Sequence, residues 1–294
     1  MTEQDKPYSR NAEILPSTQW PEGMQRVALA VEYLGGQYHG FQTQPSGVPT
    51  VQQALEHALS QVAAEPITLV CAGRTDAGVH ATQQIVHFDT LALRPEKAWV
   101  RGTRAHLPMD ISVLWARPVA PEFHARFSAK ARTYRYLICD RPTYSGLMHQ
   151  HVTWSRKRLN EQAMRAAAQC LIGEHDFTSF RASQCQARRP VRTIEHLHIA
   201  RRGELLVIEV KANAFLHHMV RNIVGVLMAV GAGEAAPEWM AQILAARDRS
   251  AGGVTARPFG LYLVAVDYPE VFGLPQVEPG PLFITEPVGA LQRP

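Results

Sequence analysis

The chain has 294 residues, of which 46% are hydrophobic and 19% charged, with a formal net charge of +4. That length buries a full core without staples, and that composition excludes fibrous and disordered classes. No apolar run approaches the ~20 residues of a membrane span, residues 1–6 lack a secretion signal's apolar stretch, and Cys71, Cys139, Cys170 and Cys185 show neither zinc nor disulfide spacing.

Free thiols and a cytoplasmic setting are therefore expected. Residues 1–23 contain Pro7, Pro16 and Pro21 without apolar periodicity, which predicts a loose arm. A strand follows over residues 26–33. Thr50 then caps a helix through residues 51–59, whose apolar positions recur at i, i+3 and i+4. Strands over 67–71 and 84–88, a helix near 97–100 and a strand over 111–116 complete the order β-α-β-β-α-β for residues 24–125. Residues 126–268 repeat it. A strand spans 133–138 and a helix 159–172, then a hairpin joins 193–199 to 205–210. Helices over 216–230 and 237–246 precede a closing strand over 260–266. The fold class expected is α+β, with two tandem ferredoxin-like halves that join their sheets. Residues 269–294, rich in Pro and Gly, read as an extended tail.

The most informative segment is Gly73-Arg74-Thr75-Asp76-Ala77-Gly78, a charged turn between two strand-like runs. Turns ordinarily use Asn, Gly or Ser there. An aspartate in a turn commonly accepts backbone amides two residues on, and that structural reading stands beside a chemical one. The chemical reading is an ionised carboxylate acting as nucleophile or base, which needs a cationic partner in a water-poor cleft. Arg74 is one candidate. Arg221 is another, because it is a charge within the nearly all-apolar helix around residues 216–225 and needs a carboxylate. A structural ion pair would serve Arg221 equally well. In the strand 130–136, alternation puts Arg132, Tyr134 and Tyr136 on one face, where a base could stack on tyrosine. Tyr136 reads better as core.

A metal site is not expected. His80 and His87 fall on opposite strand faces by their spacing, and His217 and His218 point apart if helical. No glycine-rich phosphate loop is present either. Arg126, Lys130, Arg132, Arg135 and Arg141 form one basic cluster, and Arg181, Arg188, Arg189 and Arg192 a second. Phe127, Tyr134, Tyr136, Phe177 and Phe180 lie among them. Solvated surface and nucleic-acid contact both account for such a pattern.

The sequence resembles the tRNA pseudouridine synthase A family over about residues 26–284. The match runs through Tyr38-His39-Gly40-Phe41-Gln42, Thr50-Val51-Gln52 and Gly73-Arg74-Thr75-Asp76-Ala77-Gly78-Val79-His80. It continues through Arg126-Phe127-Ser128-Ala129, Arg132-Thr133-Tyr134-Arg135-Tyr136, Gly173-Glu174-His175-Asp176-Phe177 and Met219-Val220-Arg221-Asn222-Ile223-Val224-Gly225. Phe41 stands where the family more often has Trp, and Gln83 where it often has Gly. The resemblance implies a pseudouridine synthase fold with joined antiparallel sheets and a central basic cleft. It implies that uridines 38, 39 and 40 of the tRNA anticodon arm become pseudouridine without cofactor or metal. It assigns Asp76 as nucleophile, Tyr134 as the residue stacking on the base, Arg221 as the partner of Asp76, and Arg74 to substrate positioning. Arg126, Lys130, Arg132 and Arg181 are then RNA contacts, and a homodimer holds tRNA across both subunits, with no membrane association.

Two other classes remain open from the residues themselves. One is an RNA-binding module without chemistry. The other is a glycoside hydrolase, which needs a second acid about 5 Å from the first, with Glu32, Glu174 and Asp176 as candidates.

Overall fold

Alternating and continuous apolar runs build the strands. The first, β1 (Gln25–Tyr33), buries Val27, Leu29 and Val31 on one face and Ala28 and Ala30 on the other. The computed structural model describes residues 20–284, so most of the expected N-terminal arm and the end of the tail lie outside the described residues. Helix α1 (Val51–Ala63) starts where the Thr50 hydroxyl accepts the Gln53 amide, as its sequence predicts, and buries Leu55, Ala58 and Leu59. After β2 (Val70–Cys71) and β3 (His80–Thr90), helix α2 (Glu96–Arg104) plants Trp99 edge-on against Phe88 at 5.1 Å. Strand β4 (Ile111–Val119) returns along β1.

The second part contains β5 (Ala131–Asp140), β6 (Thr153–Ser155), α3 (Glu161–Ala168), β7 (Gly173–Asp176), β8 (Val191–Arg202) and β9 (Leu205–Ala212). It closes with α4 (Met219–Gly231), α5 (Trp239–Ala246) and β10 (Leu261–Asp267). Strands β6 and β7 are three and four residues long and carry no periodic signal that would announce them. Helix α3 is shorter than predicted, because the Asn160 side chain caps it at Gln162 and Ala163 and a 3-10 turn replaces its end.

All ten strands join one mixed sheet, in the order β4-β1-β3-β10-β5-β9-β8-β7, with β2 on β3 and β6 on β5. The first part contributes β4-β1-β3 with β2, and the second part β10-β5-β9-β8-β7 with β6. Along that order the pairings within each half are antiparallel, as expected of joined antiparallel sheets, but the joint makes the whole sheet mixed: β10 meets β3 in parallel, at Tyr262 with His80 and Leu263 with Ala81. The physical reason is the brevity of β2. It pairs only with His87 and Val86, and the chain leaves the sheet at Ala72. The lower edge of β3 is therefore open, and β10 enters there in the direction that its antiparallel pairing with β5 dictates.

The helices cover one face. Leu55, Leu59, Trp99, Met164, Ala167, Ile223, Val224 and Leu227 share a single apolar cluster with inward residues of the sheet. The other face is closed by Phe123, Tyr268, Phe272, Leu274 and Ile284. The described part of the tail thus crosses the helix-free face, anchored where Arg135 donates to the carbonyls of Pro279 and Gly280 at 2.6 and 2.8 Å. All four cysteines are free thiols. No helix among the described residues is long and apolar enough to cross a membrane.

The two β3 histidines also depart from simple alternation. A bulge between Ala81 and Gln84, opposite Val31–Tyr33, adds one residue and puts both on the helix-free face. His80 packs on Tyr262 and His87 on Phe123. Each accepts a backbone amide through Nδ1, from Gly35 at 2.9 Å and from Ala125 at 3.1 Å. Burial pushes His80 down to about 4 and His87 to about 3. Below pH ~6.5 the unfolded chain takes up protons at these sites that the folded protein refuses, so stability falls as pH drops from 6.5 toward 4. Thermal melts at pH 7 and pH 5 should differ by about 2 kcal/mol for each histidine. His87→Asn, whose Oδ1 matches the position of Nδ1 as an acceptor for Ala125, should show a shallower loss. An unchanged slope in that variant would remove His87 from this account.

Candidate active site

The turn that leaves β2 is held on every side except at its carboxylate. Ala72 donates its amide to Ile85, and the buried Gln84 side chain accepts from the Gly73 amide and donates to the Gly73 carbonyl. The hydroxyls of Thr75 and Tyr33 share a hydrogen bond of 2.8 Å, and the Thr75 carbonyl accepts from Phe41 at 3.0 Å. Val79 donates back to the Asp76 carbonyl at 3.1 Å, across Gly78 at φ +79°, a conformation in which a side chain would be strained. The Gly78 amide goes to the Tyr38 carbonyl, not to the Asp76 side chain. Asp76 is therefore not acting as the cap of its own turn.

Its carboxylate faces the second part of the chain. Arg221 Nη1 donates to Oδ2 at 3.1 Å, 145 residues away in sequence. Arg221 is itself fixed by Nε donating to the Ala256 carbonyl at 2.9 Å. It lies in the first turn of α4, a helix start that no side chain caps, and the positive end of the helix favours an anion there. His217 Nε2 lies 3.3 Å from Oδ1 and His218 Nε2 3.4 Å from Oδ2.

The histidine pair corrects the expectation that these side chains diverge. The helix begins at Met219, and His218 has left-handed backbone at φ +61°. Both rings therefore leave a turn instead of a helix, with centroids 4.1 Å apart. Burial lowers His218 below its usual range, against the pull of Asp76 and with help from Arg221. Donor atoms of Asp76, His217 and His218 lie within 4.8 Å of one another, a spacing a metal ion could use. The Arg221 guanidinium on the same carboxylate opposes a dication by like charge.

Tyr134 borders this site from β5. Its side chain is buried, with its ring perpendicular to that of Phe215 at 5.0 Å between centroids, and it shares the helix side of the sheet with Tyr136. Burial pushes its hydroxyl well above the usual tyrosine range, and the Asp76 charge adds to this. Arg74 is exposed at the turn, and Arg126 and Lys130 are exposed in the loop before β5. Arg126 lies over the half-exposed Phe127 ring at 5.7 Å. The charges of Arg74, Arg126 and Arg132 all bear on Cys71, whose thiol burial pushes up to about 11.

Arg132, expected as an RNA contact, is turned into the protein. Its guanidinium donates to four carbonyls, of Ala129, Asn213, Ala72 and Arg126, at 2.8 to 3.3 Å. It ties the Asp76 turn to the loops before β5 and α4, which commits both terminal amino groups to the protein. Arg181 gives one arm to the Cys185 carbonyl at 2.9 Å. Of the acids considered for a hydrolase, Glu174 and Asp176 lie on β7, at the far edge of the sheet from β4 and five positions from β3, while Glu32 lies on β1, beside β3. Sequence reasoning missed His217 and His218 as neighbours of Asp76, although two adjacent histidines before an apolar helix were a usable signal.

With this geometry in hand, likeness to known proteins decides the family. The family model described as tRNA pseudouridine synthase matches residues 29–128 and 167–269. The chain belongs to the tRNA pseudouridine synthase family. This synthase is an isomerase. It is 58% identical over 263 residues to tRNA pseudouridine synthase A of Pseudomonas aeruginosa, covering 90% of this chain and 92% of that one. It is 54% identical to the enzyme of the same name from Cronobacter sakazakii, covering 89% and 96%. Among solved structures, a Cbf5-Nop10-Gar1 complex aligns at a TM-score of 0.33 and 9% identity over 80% of the synthase and 57% of that chain, too slight a likeness to bear on its fold.

Proposed function

We propose that this synthase converts uridines 38, 39 and 40 of the tRNA anticodon arm to pseudouridine, with Asp76 as the nucleophile. The observation that carries the reading is the Asp76 carboxylate, partly exposed at a turn and held by Arg221 at 3.1 Å from a helix start. The guanidinium beside it orients the carboxylate and balances its charge, as a nucleophile in a cleft requires. In the reaction the uracil N1–C1′ bond breaks, the ring turns, and C5 bonds to C1′. The proton on C5 is lost to solvent and N1 gains one, so atoms balance without cofactor or energy source.

The target base must leave its stack to reach Asp76, at a cost of a few kcal/mol. Phosphate contacts from exposed cations such as Arg74, Arg126 and Lys130 offset that cost and make binding salt-sensitive. Tyr134, perpendicular to the Phe215 ring, supplies a stacking face for the base. Arg181 contributes to the RNA track with its remaining donors, while Arg132 supports the site from within. Action on three adjacent positions fits recognition of the arm by shape. We read residues 24–125 and 126–268 as tandem ferredoxin-like halves with the basic cleft between them. The active form is a homodimer in the cytoplasm, a reading that rests on the family likeness.

Chemical mapping of pseudouridine in tRNA after incubation with the purified protein tests this. Stops at positions 38 to 40 are expected. Modification elsewhere would overturn the assigned positions, and unmodified tRNA would overturn the activity.

A further inference from the structure

Arg221 can serve Asp76 only while the Ala256 carbonyl holds its Nε, so the placement of residues 249–256 decides where the guanidinium points. Arg221 and Ala256 are joined twice, since the Ala256 amide also donates to the Arg221 carbonyl at 3.1 Å. What fixes this segment is the next residue of the helix. Asn222 is buried, and its side-chain oxygen accepts from the Thr255 hydroxyl at 2.6 Å and from Arg249 Nη2 at 3.2 Å. Its amide donates to the Phe180 carbonyl at 2.7 Å. Arg249 closes the ring by donating to Thr255 Oγ1 at 3.0 Å.

One helical turn later, Gly225 lets the same segment lie against α4. A Cβ at Gly225 would sit 1.8 Å from the Val254 carbonyl oxygen, which no packing adjustment of side chains could relieve. Asn222 and Gly225, at i and i+3, thus present one polar clamp and one smooth contact on a single helix face. A buried asparagine in a largely apolar helix is costly unless hydrogen-bonded, and here its side-chain oxygen accepts twice and its amide donates to the Phe180 carbonyl.

We propose that Asn222 is a positioning residue for the isomerisation: through Thr255 it sets the Ala256 carbonyl that aims Arg221 at Asp76. This rests on the function proposed above. A loss of aim of about 1 Å costs roughly a hundred-fold in rate without weakening RNA binding, because phosphate contacts lie elsewhere.

The test is single-turnover conversion of 5-tritiated uridine in tRNA, with thermal melting of each variant alongside. Asn222→Ala should lower the maximal rate roughly ten- to a hundred-fold with half-saturating tRNA concentration changed less than about three-fold. Thr255→Val, a milder change, should move the rate the same way by roughly five-fold, and Thr255→Ser should restore it. Placed on Arg221→Ala, Asn222→Ala should have almost no further effect on rate, because the residue it aims is gone. Multiplicative losses in that pair, or a loss confined to tRNA affinity, would overturn the proposal. So would full activity in a folded Asn222→Ala protein. If that variant fails to fold, the Thr255→Val and Thr255→Ser pair decides the matter: equal rates in both would overturn it. An inactive wild-type protein would instead sink the functional reading itself.

Discussion

Asp76→Asn should bind tRNA within about three-fold of the wild-type protein yet release tritium from 5-tritiated uridine about ten thousand-fold more slowly. Asparagine has nearly the shape of aspartate and retains one oxygen for Arg221, so the turn and its 3.1 Å contact survive. What it lacks is the negative charge that the proposed attack on the substrate requires. The backbone holding this turn does not involve the carboxylate: Gly78 donates to Tyr38, Gly73 is bracketed by Gln84, and Thr75 bonds to Tyr33. The fold should therefore be untouched. Filter binding and tritium release on the same preparation separate the two effects. Normal release would eliminate Asp76 as nucleophile and return the protein to the class of RNA-binding modules without chemistry.

Removing the partner should cost both rate and stability. Arg221→Ala leaves Asp76 without its guanidinium and the Ala256 carbonyl without its donor. The Arg221 side chain is 13% exposed and that of Asp76 22%, so solvent screens the pair only in part. Breaking it should destabilise the fold by about 1–3 kcal/mol, or several degrees in melting temperature. The rate should drop by about a hundred- to a thousand-fold, as loss of a preorganised charge does elsewhere. Arg221→Lys should not restore it. One ammonium cannot reach the Ala256 carbonyl and the Asp76 carboxylate with the fork geometry of a guanidinium. Calorimetry and single-turnover rates check both halves of this expectation. A variant unchanged in melting temperature and in rate would show that Arg221 does not support Asp76.

Much of this site was legible because two local anomalies were unusual in themselves. A cation and a carboxylate crowded into a short turn, and an arginine stood within an apolar helix. Each anomaly called for a partner, and the fold makes them one another's, at a sequence separation of 145 residues. Tyr134 could be assigned to a face by strand alternation, and the face is the one shared with Tyr136. The histidines were misread because alternation and helical periodicity assume regular backbone. A bulge in β3 moved His80 and His87 to one face, and left-handed geometry at His218 turned both His217 and His218 onto Asp76.

The sequence by itself determined the strands and helices with strong periodicity, the capped start of α1, the charged turn, and the need of Arg221 for an anion. Those properties depend on a residue and its near neighbours. Only the tertiary structure decided that β10 enters beside β3 in parallel and that Arg132 spends its donors on four carbonyls inside the protein. It alone decided that Asn222 and Thr255 fix the segment that aims Arg221. The destination of a guanidinium or an amide is set by which carbonyls the folded backbone leaves unpaired, and that is a property of packing between distant segments.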